Sequence, residues 1–138
     1  MEKKDKDLLL KDLCARLPYG VKVACNKNVY TVKGLDLIVT DEGDWEYAVT
    51  AKGIAPIEID FIKPYLFPLS SMTEEQKREY NKWKHVIPVC RYEYGDVVEE
   101  IELWDSPESF EYLIANHFDY IGLIPMGLAN DATGKNIY

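Results

Sequence analysis

The chain has 138 residues, of which 47% are hydrophobic, and a formal net charge of -8. A chain of this length buries its own core as one domain, and its hydrophobic share excludes a disordered polymer. It holds no apolar run near the roughly 18 residues that a membrane span needs.

Taken in order, the elements begin with a helix over residues 1–17. Leu8, Leu9, Leu13 and Leu17 recur near helical spacing with charges between them. The start "MEKKDKDLLLKDLCARL" is amphipathic and lacks the apolar stretch and cleavage site of a secretory signal, so the expected compartment is the cytosol. "LPYG" stops the helix, because Pro18 disfavours helix at Leu17 and Gly20 permits a turn. Residues 21–62 read as four or five short strands: "VKVAC", "NVYTVKG", "LDLIVT", the acidic tip "DEGD", "WEYAVTA" and "IEIDFI". Strands at this spacing predict a small antiparallel sheet or an SH3-like barrel.

"KPYLFPLSS" is irregular, and a helix over 73–84 follows it. Thr73 and Gln76 are placed for a capping box, and Glu74 and Glu75 suit the positive end of the helix dipole. Residues 86–104 predict a β-hairpin turning at Gly95-Asp96. That register sets Tyr94 against Val97, Tyr92 against Glu99 and Cys90 against Ile101. It places Cys90, Tyr92, Tyr94, Val97, Ile101 and Leu103 on one apolar face, which only a one-residue slip would turn toward water, and Arg91 opposite Glu100 on the other. Residues 106–129 predict a helix, with Ser106 as N-cap and Pro107 at the first position, followed by a C-terminal clasp. In that clasp "HFDYIGLIPMGLA" turns at its glycines and proline and lays Phe118, Tyr120, Ile121, Leu123, Ile124, Met126 and Leu128 over the sheet, with a binding groove as the alternative. Residues 130–138 read as a polar, frayed tail. The fold class is therefore α+β, with about three helices, in a single domain.

Three cysteines, Cys14, Cys25 and Cys90, have neither the count of a disulfide framework nor zinc spacing. They read as small buried hydrophobes. The two histidines, His85 and His117, stand near no Ser-containing elbow, and no glycine loop has phosphate-binding spacing. "DEGDWE" does not match a calcium loop. Hence no catalytic residue, metal ligand or cofactor is assigned; the weaker enzymatic alternative is a hydrolase using His117 and a carboxylate.

The charge is unevenly placed. Residues 1–91 hold 14 acids and 15 bases, whereas residues 92–138 hold 10 acids and the single base Lys135. An acidic third repels phosphates, which argues against direct nucleic-acid binding there and for a basic protein partner. The candidate docking residues are Trp45, Glu99, Glu100, Glu102, Trp104, Asp105, Glu108 and Glu111, with the tryptophans as aromatic anchors. The alternative is a small-molecule pocket, for example for a signalling nucleotide. It would draw on Lys63, Lys82, Lys84, Arg91, His117 and Tyr120, where the cations and aromatics lie.

Three blocks, "LPYGVKV", "IKPYLFPLSSMTEEQKREY" and "HFDYIGLIPMGLA", resemble a family of small uncharacterised proteins from gut bacteria, their phages and mobile elements. Its members carry similar blocks in the same order. The resemblance implies a phage or mobile-element accessory protein in a bacterial host cytosol. Interference with a host defence or regulatory factor suits that setting. It carries over no catalytic residue.

Overall fold

A computed structural model describes all 138 residues, and they form an α+β fold of helices and small sheets. The elements in order are α1 (Lys3–Arg16), β1 (Lys22–Cys25), β2 (Asn28–Thr31), β3 (Gly34–Val39), β4 (Trp45–Thr50), β5 (Ile57–Glu58) and β6 (Lys63–Leu66). There follow α2 (Glu74–Lys82), β7 (His85–Glu93), β8 (Asp96–Trp104), α3 (Pro107–Ala115) and β9 (Asn130–Asp131). They divide between two compact units, one of Met1–Ser71 with Ile114–Tyr138, the other of Met72–Leu113.

The first unit contains the hydrophobic core. On α1, Leu9 and Leu13 are fully buried, and a 3-10 turn at Leu17–Tyr19 ends the helix with Gly20 left-handed at φ 67°. Val21 and Val23 are also fully buried, as the alternation of "VKVAC" requires. The strands form two small sheets in place of one closed barrel: β2-β1-β6-β9 and β3-β4-β5. The chain changes sheets between β2 and β3. Val32 N–H bonds to the Val21 carbonyl of the first sheet, and Lys33 N–H bonds to the Thr50 carbonyl of the second. Strands that switch sheets at a bend make corners of this kind.

Two expectations need correction. The tail is ordered. β9 runs parallel to β6, and Ala132 N–H continues the pairing to the Leu66 carbonyl at 2.8 Å. At the end of the chain Tyr138 donates its hydroxyl to the Tyr65 carbonyl at 2.8 Å and accepts from Lys22 N–H at 2.9 Å. Nor are the cysteines uniformly buried. Cys14 and Cys90 are exposed and Cys25 is half-buried. Cys14 follows Leu13 onto the outward side of α1, and only Cys25 lies on a strand face that continues the core.

The second unit holds α2, the β7–β8 hairpin and most of α3. Thr73 and Gln76 form the full capping box: Gln76 N–H reaches the Thr73 hydroxyl at 3.1 Å, and Thr73 N–H reaches the Gln76 side-chain carbonyl at 2.9 Å. Ser106 caps α3 in the same reciprocal way. Its hydroxyl accepts from Ser109 N–H at 3.0 Å, and its own N–H donates to the Ser109 hydroxyl at 2.7 Å. Tyr80 stacks on Tyr112, with ring centres 6.3 Å apart, and donates to Asp105.

The hairpin turns one residue earlier than its sequence suggests. Tyr94 and Gly95 are the two turn residues, with φ of 50° and 86°. Two left-handed residues make the turn whose twist matches the flanking strands. The register becomes Glu93 opposite Asp96, Tyr92 opposite Val97 and Cys90 opposite Glu99, a shift of two residues from the expected pairing. An even shift leaves each side chain on its expected face. Arg91 and Glu100 are therefore diagonal neighbours, and they still form an ion pair. Tyr94 is fully exposed, so its ring gains nothing in return for the left-handed backbone. Tyr94→Asn is expected to stabilise the hairpin by about 0.5–1 kcal/mol, read as a higher urea midpoint. An unchanged or lower midpoint would contradict the left-handed geometry at position 94.

Candidate functional site

The hairpin combines acidic charge with apolar exposure. β7 and β8 pair with each other and with no other strand. One face of this ribbon carries Ile87, Val89, Val98 and Glu100, all half-buried. The other carries Val86, Cys90 and Tyr92 from β7 and Val97, Ile101 and Leu103 from β8, all exposed. Ile101 is 73% exposed and Tyr92 80%. The apolar set thus faces water, and the half-buried set is the one that is packed. Isolated exposed hydrophobes are ordinary, but one whole face of a nine-residue ribbon is not. The same stretch, residues 85–104, carries five acids, Glu93, Asp96, Glu99, Glu100 and Glu102, against the one base Arg91.

The expected docking residues fall into three settings. Glu99, Glu100, Glu102 and Trp104 lie together on β8. Glu99 shares the exposed apolar face opposite Cys90. Glu100 pairs with Arg91 on the other face, and Glu102 accepts from the Trp104 indole N–H at 3.0 Å. Asp105, Glu108 and Glu111 follow at the start of α3 and are exposed. Asp105 is used inside its own unit, accepting from Tyr80 and, at 3.2 Å, from the Ser109 hydroxyl. Burial first, and then this carboxylate, holds the Tyr80 hydroxyl well above the usual tyrosine range. Trp45 belongs to the first unit and is 71% exposed. It lines a shallow groove of about 290 Å³ with Lys3, Leu10, Leu37 and Tyr47. Beside it, Lys6 bridges Glu46 at 2.6 Å and Asp60 at 3.2 Å.

The residues of the alternative ligand pocket are divided between the units. Lys82, Lys84 and Arg91 lie in the second, where each has a partner: Glu79 at 3.2 Å, the Tyr80 ring at 4.4 Å and Glu100 respectively. Lys63, His117 and Tyr120 lie in the first. Lys63 is exposed on β6, and Tyr120 lies under the Arg16 guanidinium. His117 is 7% exposed, left-handed at φ 61°, and stacked on Tyr138 with ring centres 3.9 Å apart. Burial, with the nearby Arg16 and Lys22 charges, pulls its imidazole down to about 4, and a hydrogen bond to the Tyr19 backbone works the other way. The same burial pushes the Tyr138 hydroxyl up to about 12.

The carboxylate nearest in sequence, Asp119, is committed elsewhere. It accepts from the N–H groups of Gly122, Leu123 and Ile124 at 3.0, 2.8 and 2.9 Å. A carboxylate so placed holds the clasp turn closed, while Phe118, Leu123 and Leu128 are buried; Met126, expected over the sheet, is exposed between Pro125 and Gly127 on the outer side of the turn. The Nδ1 of His117 has no hydrogen-bond partner. No three His, Cys, Asp or Glu side chains gather as a metal-binding group. No helix is long and apolar enough to cross a membrane.

Sequence reasoning missed one buried group, the Asp12–Arg16 pair. Both side chains are fully buried, joined Nε to Oδ2 at 2.9 Å. Arg16 also donates to the Phe118 carbonyl at 2.5 Å and, at 3.5 Å, to that of Ile114. Their i,i+4 spacing on α1 was visible, but the carbonyls that receive the guanidinium come from residues about a hundred positions later.

The chain matches no protein-family model, no curated protein and no solved structure.

Proposed function

We propose that this protein is a non-enzymatic interaction protein that docks a basic surface of a host protein through the β7–β8 hairpin. The observation that carries this reading is the uncovered apolar face on an acidic ribbon. Apolar side chains supply the contact area and carboxylates select a partner of opposite sign. The block resemblance supports its setting, an accessory protein of a phage or mobile element in a host cytosol, where such a surface would counteract a defence or regulatory factor.

Its test is capture from host lysate on the wild-type chain and on a Glu100→Lys/Glu102→Lys variant. The wild type is expected to retain a basic protein that elutes as salt rises from about 0.1 M to about 1 M, where the screening length shortens from about 10 Å to about 3 Å. The charge-reversed chain is expected not to retain it. Equal retention by both chains, indifferent to salt, would remove the acidic surface from the reading.

A further inference from the structure

We propose that the outer edge of β8 is the contact itself, and that the partner adds a strand to it: an extended segment alternating basic and apolar side chains. This rests on the docking reading above and specifies how the contact is made.

The backbone geometry selects the edge. In a hairpin with a two-residue turn of this type, the residues flanking the turn, Glu93 and Asp96, exchange both backbone hydrogen bonds, and every second pair does the same. The β8 residues turned toward β7 are then Asp96, Val98, Glu100, Glu102 and Trp104. The N–H and C=O groups of Val97, Glu99, Ile101 and Leu103 point outward, where no strand pairs with them. The outer edge of β7 is different. Its outward residues include Pro88, which has no N–H to donate. Proline is one of the devices that keep an edge strand from recruiting another chain. One edge of the ribbon is therefore interrupted, and the other is continuous. A two-stranded hairpin is also marginal by itself, and a third strand stabilises it.

The side chains select the occupant. A strand laid beside β8 has its alternate side chains next to Val97, Ile101 and Leu103 on one face and next to Glu100 and Glu102 on the other. The complement is an apolar residue alternating with Lys or Arg. A second copy of this chain fits less well, because pairing β8 with β8 would bring two sets of Glu99, Glu100 and Glu102 together.

The probe is a capped octapeptide of alternating lysine and valine, compared with the same peptide N-methylated at two adjacent central residues. Methylation keeps the charge and side chains and removes backbone donors from both edges of the peptide. Binding is read by titration calorimetry. The unmodified peptide is expected to bind, and the methylated one to bind about fivefold more weakly, the effect of about one lost hydrogen bond, because only one of two adjacent N–H groups faces β8. A glutamate–valine peptide is expected not to bind.

Ile101→Pro removes one outward N–H and, like Pro88 opposite it, spares the β7–β8 bonds. It is expected to weaken the unmodified peptide by a larger factor than the methylated one, in which the strand pairing is already disrupted. Should that variant fail to fold by circular dichroism, the two peptides decide alone. Equal binding of the two lysine peptides would overturn strand addition and leave the charge-based docking intact. Binding of neither would overturn both. A dimer in sedimentation velocity that the lysine peptide cannot dissociate would assign the edge to a second copy and overturn the proposal.

Discussion

Arg16→Ala is expected to cost about 3–5 kcal/mol of folding stability. Removing the guanidinium leaves the Asp12 carboxylate fully buried without its partner, and it leaves the Phe118 carbonyl without its 2.5 Å donor. The Asp12 Oδ1 already has no partner, so the site has little capacity to compensate. Burial raises the affinity of Asp12 for a proton, and Arg16 opposes that rise. Without Arg16, the carboxyl must either stay charged in an apolar setting or take up a proton. Replacing both groups by apolar side chains of similar size, Asp12→Leu with Arg16→Met, removes the desolvation cost along with the pairing. That double variant is expected to lie within about 2 kcal/mol of the wild type. Urea unfolding followed by far-ultraviolet circular dichroism measures both. A single-variant loss below about 1 kcal/mol, or a double variant as unstable as the single, would contradict the bracket between α1 and the segment after α3.

Acidification gives the second large effect, through His117. Its folded imidazole is depressed to about 4 from the ordinary 6.5, so the folded state favours the neutral ring. The stability this contributes is fully present above pH 6.5 and is lost as pH falls toward about 4. The difference corresponds to about 3 kcal/mol. Asp12 acts in the opposite sense. Its raised proton affinity lets the folded state take up a proton more readily than the unfolded chain, which adds stability as pH falls. His117→Asn separates the two, because asparagine tolerates the left-handed φ of 61° and does not titrate. The wild type is expected to lose more melting temperature between pH 7 and pH 4 than His117→Asn does. Parallel losses would show that His117 is not buried as a neutral ring beneath Tyr138.

What the sequence disclosed was mostly local chemistry. The Thr73–Gln76 box and the Ser106–Pro107 start are short-range patterns whose partners lie three residues apart, and both formed. The alternation of "VKVAC" identified a buried strand face because one side is apolar and the other is not. In the hairpin the same alternation separated the two faces, but the apolar set expected to be covered is the one that faces water, because the fold packs the face of Ile87, Val89 and Val98 instead. The turn was ambiguous. "YG" and "GD" both offer a glycine, and the choice depends on which turn position it takes.

The remaining features depend on distant residues. Tyr138 is ordered because its hydroxyl accepts from Lys22 N–H and donates to the Tyr65 carbonyl while its ring stacks on His117, and nothing in "NDATGKNIY" announces those partners. Asp12 and Arg16 look like an ordinary surface pair until the Phe118 carbonyl covers them. Of the docking residues, Glu99, Glu100, Glu102 and Trp104 share one strand. Trp45 is separate from them in the first unit, a division that composition does not report.

The most direct measurement is an amide chemical-shift map by NMR, recorded while the lysine–valine octapeptide is added to the 138-residue chain. The expected result is a set of shifts confined to β8 and its neighbours, largest at the amides of Val97, Glu99, Ile101 and Leu103, with hydrogen exchange slowed at those four. Shifts centred on the Trp45 groove or on His117, or no shifts at all, would contradict a docking surface on the hairpin.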